Sequence, residues 1–191
     1  RARLVGSEMC IRDRSSIYRK NRSLYFTNDF LSDLKKKKFV ILVEGYFDVI
    51  AFNKLGFSNV ASPSGTALTV QQINLLSRYT KEIYLCFDND EAGDSATKKV
   101  LEIKNNQPSE INFFKLSLPE EFKDISEFYE SGNSDISKII NEKEDLVEFC
   151  INKIIDKDNT KKTFQEFKKI SIFLSPLAVS YTHLRAHETS S

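Results

Sequence analysis

Residues 39–43 form an unbroken apolar, β-prone run, and Val49, Ile50, Phe52 and Leu55 follow at helical spacing, with Gly56 as a stop. A strand that is apolar on both faces has to be covered on both. A helix placed directly after it returns the chain to a parallel neighbour. The alternation then repeats. A short strand is expected at 59–61 and a turn-forming loop at 62–68. Thr69 and Gln72 make a capping box for a helix running to about Tyr79. A third strand is expected at 82–87, a loop at 88–93, a helix from Ser95 to about Lys104 and a fourth strand at 111–116. Upstream, residues 15–30 read as a loop and 31–38 as a helix ending in four lysines. Beyond Asp124 the pattern is helical, with breaks near Gly132 and between Asp156 and Thr160. The fold class is α/β: a mainly parallel four-stranded sheet with flanking helices, followed by a helical C-terminal segment.

A chain of 191 residues suits one domain with a real core. Its net charge of +1 predicts no global attraction to nucleic acid or membrane, so any such site is local. No apolar run approaches the ~20 residues of a membrane span and nothing resembles a cleavable signal, so a cytoplasmic protein is expected. Cys10, Cys86 and Cys150 form no CxxC pair, which excludes a zinc knuckle and a disulfide framework. Cys86 is expected as inert core, and Cys150 lies on an apolar helical face with Leu146 and Phe149.

Arginine usage divides the chain. Arg1, Arg3, Arg12, Arg14 and Arg185 are five of its eight arginines, and they lie before Ser15 or after Ser175, whereas all twenty lysines lie between. The single methionine, Met9, and both histidines, His183 and His187, are in the same ends. We read residues 1–14 and 176–191, with the strings VGSEMCIRDR and SYTHLRAHET, as non-native adapter-like tails. Removing their five basic and three acidic residues from totals of 28 and 27 leaves 23 and 24, a core of charge −1. That core is expected to be an internal slice of a longer protein.

The chemistry lies at the strand ends. The first strand leads into Glu44 and the third into Asp88, with Asp90 two residues on, and open parallel sheets bind ligands beyond the carboxyl ends of their strands. Asp48, one turn into the first helix of the sheet, can join them. A lone acid after a strand is most often a helix cap. Three acids at two strand ends would raise one another's pKa unless a cation sat among them. Oxygen-only ligation with no nearby His or Cys selects magnesium or manganese over zinc. An EF-hand is excluded because Lys99 stands where the loop DNDEAG would need its twelfth-position Glu. No GxxxxGK[ST] is present, which excludes a P-loop, and residues 62–66 read as a plain turn that could offer N–H groups to a phosphate.

EGYFDV (44–49), SGTALT (64–69) and FDNDEAG (87–93), in that order and spacing, resemble the TOPRIM domain of DnaG-type bacterial primases. The resemblance implies a TOPRIM, Rossmann-like fold over 39–123 and a helical subdomain over 124–175. Residues 15–38 resemble the end of the basic N-terminal subdomain, through Tyr18-Arg19-Lys20-Asn21-Arg22 and Leu24-Tyr25. Lys123-Asp124-Ile125-Ser126-Glu127 occupies the place of the family's DPD element, with Ser126 where a second Asp is usual. Asn89 replaces the usual Gly.

By this resemblance Glu44 is the acid/base group, Asp88 and Asp90 are metal ligands, and Asp48 and Asp124 support a second metal. Primer synthesis is then nucleotidyl transfer, with two ions about 4 Å apart activating the attacking hydroxyl and clamping the leaving oxygens. Lys20 and Arg22 would neutralise the nucleotide's phosphates. The implied cofactor is magnesium or manganese. The implied partners are a single-stranded DNA template, ribonucleoside triphosphates and a replicative helicase, the last through a region outside this chain. The family's zinc-binding domain and most of its basic subdomain are also expected outside it. Two other readings of a TOPRIM domain are a DNA-binding scaffold of the recombination-mediator type, which carries a four-cysteine zinc site, and a nuclease of the overcoming-lysogenization type. The aromatics Phe113, Phe114, Phe122, Phe128 and Tyr129 are expected to cover the sheet, and Lys35 to Lys38 to be a solvated helix end. If the ends are foreign, a chain trimmed to residues 15–175 should melt at or above the temperature of the full chain by calorimetry; a fall of many degrees would assign them a structural part.

Overall fold

The computed structural model describes residues 23–63, 67–105 and 110–155. Along the chain these form α1 (Phe30–Lys37), β1 (Phe39–Leu42), α2 (Tyr46–Lys54), β2 (Val60–Ala61), α3 (Val70–Leu76), β3 (Glu82–Leu85), α4 (Glu91–Asn105), β4 (Asn112–Lys115), α5 (Ile125–Glu130), α6 (Ile136–Asn141), β5 (Glu144–Asp145) and α7 (Leu146–Ile155). Both terminal segments read as foreign, the 64–66 part of the second motif and the expected helix beyond 156 lie outside the described residues. Residues up to Leu146 belong to one compact unit, and the remainder of α7 belongs to a second. Among the described residues no helix is long and apolar enough to cross a membrane.

The sheet order is β2-β1-β3-β4-β5, parallel except for β5 against β4. From β1 the chain steps outward to β2, then returns past β1 to β3 and continues to β4. Right-handed crossovers therefore put α2 on one face and α3 and α4 on the other. Strand alternation sorts the apolar residues to match. Ile41, Val43, Tyr84, Cys86 and Leu116 share a core with Val49, Ala51 and Phe52 of α2, Ile125 and Phe128 of α5, and Ile136 and Ile139 of α6. Val40, Leu42, Ile83, Leu85 and Phe113 are fully buried at the intervening positions. The doubly covered sheet expected from the unbroken run of β1 is thus borne out.

The mainly parallel α/β sheet stands, with four differences of detail. A fifth strand, β5, lies in the segment read as helical; two acidic residues carry no periodic signal, and their place is set by pairing with Phe114 and Lys115. Beside it Lys143 lies over the rings of Tyr84 and Phe114 and reaches Glu82 at 3.4 Å. The second difference is that α4 begins at Glu91, four residues before the expected Ser95. Gly93 ends the expected 88–93 loop, but Asp90 caps the helix by accepting from the Gly93 N–H at 2.9 Å, and Glu91 and Asp94 sit favourably in the first turn. Third, Ile50 of α2 is exposed rather than part of the apolar face. Fourth, Tyr129 is exposed, while Phe113 and Phe128 are buried and Phe114 and Phe122 pack against the core.

The four-lysine end of α1 is exposed except at Lys37, which pairs with Asp33 at 2.8 Å, donates to Gly56 O and lies over the ring of Phe57. Lys38 closes the helix in the left-handed conformation (φ 66°). Phe52 is fully buried at the centre of the face that carries α2. Phe52→Ala should lower unfolding free energy by about 3–5 kcal/mol in a denaturant titration, the usual cost of emptying a buried phenylalanine site.

Candidate metal centre at the strand ends

The path from β1 to β2 turns one way and the path from β2 to β3 the other, so the topological switch point lies between the carboxyl ends of β1 and β3. Such a crevice is where open parallel sheets place their ligands. Leu42 and Leu85 are register partners, and Glu44 and Asp88 follow two and three residues later. The geometry closes with Glu44 Oε1 accepting from the Asp88 N–H at 3.2 Å, while Ser62 Oγ donates to Glu44 O at 2.6 Å.

The loop from Phe87 to Asp90 is braced on three sides. Lys115, buried at the end of β4, donates to Phe87 O at 3.1 Å. Gly93 of α4 lies so close that a Cβ there would be 2.1 Å from Asp88 O, which leaves room only for glycine. Asn89 turns the other way and bonds the 118–123 loop through its backbone and side chain. The local signal for Lys115 is a lysine two residues after buried Phe113, on the same covered face of the sheet; it is visible in the sequence but carries no motif.

Asp48 occupies the N3 position of α2. Its Oδ2 accepts from the Gly45 N–H at 3.0 Å and its Oδ1 from Ser126 Oγ at 2.9 Å. The residue that replaces the family's second Asp therefore satisfies Asp48 directly. Asp124 caps α5, accepting from the Glu127 N–H at 2.8 Å. Lys20 and Arg22 lie outside the described residues, so their proposed phosphate contact is not placed.

Burial, followed by the charge of Asp88, pushes the Glu44 carboxyl above its ordinary range. Burial likewise raises Asp88, against the pull of the Lys123 ammonium and with the push of Asp124 and Asp90. It also raises Asp48 despite two hydrogen bonds. Cys86, beneath them in the core, is pushed up to about 12 by burial and stays an inert thiol.

Lys123 Nζ lies 3.6 Å from Asp88 Oδ2 and 3.8 Å from Asp90 Oδ2, already a cation between the two carboxylates. The donors are hard oxygens without nitrogen or sulfur ligands, so the residues fit a hard divalent ion such as magnesium or manganese. Among the described residues no three His, Cys, Asp or Glu side chains yet converge in ligating geometry. Glu44 is held by the Asp88 N–H and Asp48 by Gly45 and Ser126, so ligation needs side-chain rotation.

The chain matches the model of the Toprim-like family over residues 41–129. It is 32% identical over 161 residues to the DNA primase of Aquifex aeolicus, an alignment covering 84% of this chain and 32% of that protein. To the DNA primase of Campylobacter jejuni it is 34% identical over 177 residues, covering 88% and 29%. The crystal structure of the Aquifex aeolicus primase zinc-binding and RNA polymerase domains superposes with a TM-score of 0.67 at 32% identity, over 82% of this chain and 38% of that one. The chain carries a Toprim-like domain and is similar to DnaG-type primases over most of its length. Another similar structure is a DnaG primase catalytic domain bound to single-stranded DNA, with a TM-score of 0.64 at 25% identity, covering 76% of this chain and 46% of that one. The chain spans about a third of the length of the curated relatives it matches.

The raised carboxyls set a pH dependence. Each has a folded pKa above its unfolded value, near 3.8 for aspartate and 4.5 for glutamate, so its ionisation works against the fold. That cost is absent below the unfolded values, builds as pH rises through them and is complete above the folded values. Asp88→Asn should therefore leave the metal-free protein equally or more stable at pH 7, with the difference vanishing below about pH 4 in thermal melts.

Proposed function

We propose that this chain is catalytic core of a bacterial DNA primase, making RNA primers on single-stranded DNA by divalent-metal-dependent nucleotidyl transfer. The observation that carries the reading is the pairing of Glu44 with the Asp88–Asp90 loop at the switch point of a sheet whose relatives are DNA primases. Those relatives favour primer synthesis over the scaffold and nuclease readings. The scaffold reading also needs four cysteines at one zinc site, and the chain has three, Cys10, Cys86 and Cys150.

In this reading Asp88 and Asp90 hold magnesium or manganese, which supplies charge neutralisation for the attacking hydroxyl and the leaving pyrophosphate. Glu44, its carboxyl raised above the ordinary range by burial, takes the proton from the primer's 3′-hydroxyl as that oxygen attacks the α-phosphate. Asp48, which also fixes the start of α2 behind Glu44, and Asp124, close enough to Asp88 to raise its carboxyl, would support a second metal. Lys20 and Arg22 neutralise the triphosphate. The template is single-stranded DNA, the substrates are ribonucleoside triphosphates, the partner is a replicative helicase, and the setting is the cytoplasm.

Manganese titration of the chain and primer assays in an intact enzyme separate the roles. Asp88→Asn and Asp90→Asn should abolish binding in the millimolar range. Glu44→Gln should keep much of it and eliminate primer synthesis. Unchanged metal binding in both aspartate variants, or full activity in Glu44→Gln, would overturn the assignment. The 191-residue chain alone should make little primer, because template grip rests on phosphate contacts from a basic subdomain.

A further inference from the structure

We propose that Lys123 is a tethered counter-ion of the metal centre, that Asn89 positions it, and that an arriving divalent cation must displace its ammonium from between Asp88 and Asp90. The inference rests on the metal-centre reading above and adds a residue-level competitor to it.

Three sets of contacts carry it. The ammonium of Lys123 is within 3.6 and 3.8 Å of the outer oxygens of Asp88 and Asp90, so one positive charge bridges the two carboxylates. Its backbone is fixed on both sides: the Lys123 N–H donates to Glu127 Oε2 at 2.7 Å, and Lys123 O accepts from the Asn89 N–H at 2.7 Å. The Asn89 side chain then donates to Phe122 O at 2.9 Å and to Leu118 O and Pro119 O at 3.2 Å. The residue between the two acids therefore clips the lysine-bearing loop to the acid loop. A glycine at 89 would keep only the backbone bond.

Like charges this close repel, and a lysine on a fixed backbone relieves that repulsion at all times. The side chain of Lys123 is 60% exposed, so its ammonium can swing into water with little desolvation cost. It can neutralise the resting site without closing it. The same property sets a threshold for the metal, because a divalent ion entering between the carboxylates has to displace a charge already there.

Manganese binding to the full chain, followed by titration and by the thermal shift the ion produces, tests this without an activity assay. Lys123→Met should tighten binding by about three- to tenfold, as expected for removing an exposed charge that pairs with two carboxylates. The gap from the parent chain should narrow as salt is raised. Lys123→Arg should stay near the parent. Asn89→Ala should tighten binding by less than Lys123→Met, and the double variant should bind no tighter than Lys123→Met alone. If the parent binds manganese and Lys123→Met binds equally or more weakly, the counter-ion is overturned while the metal centre stands. Weaker binding in Asn89→Ala overturns its positioning part. Absence of manganese binding in every variant overturns both this inference and the reading beneath it.

Discussion

Carboxylates that repel one another are held together because two adjacent strands of one parallel sheet end at the same level. The register of Leu42 with Leu85 fixes where Glu44 and Asp88 emerge, and the reversal of chain direction between β1 and β3 opens the crevice they face. Nothing in the local sequence of either loop could hold these groups against repulsion. The sheet does it through cores on both faces, and three supports near the acids are made to backbone rather than to carboxylate oxygens. Lys115 holds Phe87 O, Gly93 admits Asp88 O, and Ser62 holds Glu44 O. The acids are left partly exposed and available to a ligand.

The strands and helices of this arrangement are legible because their signals are long or chemically specific. The apolar run of β1 and the Thr69–Gln72 capping box each point to one structure, and Gln72 does accept from Thr69 N at 2.9 Å. Glycine was the less reliable guide. At Gly56 and Gly132 it marks a turn with positive φ, whereas at Gly93 it lies inside a helix, chosen for the space it leaves beside Asp88. A residue with no side chain looks the same in both settings, and the tertiary contact decides. β5 was illegible for a related reason, since two acidic residues become a strand only through the neighbour they pair with.

At the site, the identities of the acids were readable and their partners were not. Glu44, Asp88 and Asp90 follow from position after strands. Lys123 precedes an acid at a loop end, where a lysine is ordinarily solvated, and its role depends on a contact 33 residues back along the chain to Asp90. Asn89 departs from the expected glycine, and sequence alone records the departure without its effect. The structure gives that asparagine three carbonyl acceptors on another loop.

Ser126 carries the same logic to the other side of the cleft. A second aspartate there would face Asp48, already raised by burial and further by Asp124 and Asp88, and the pair would call for a cation or a shared proton. A serine hydroxyl donates instead, so the junction of α2 with α5 is satisfied by the chain's own hydrogen bonds. The fold on that side can therefore form without an ion, while on the Asp88–Asp90 side one lysine balances two carboxylates. The carboxylates of the cleft are thus held in two ways, by neutral hydrogen-bond donors at Asp48 and Asp124 and by an ammonium at Asp88 and Asp90.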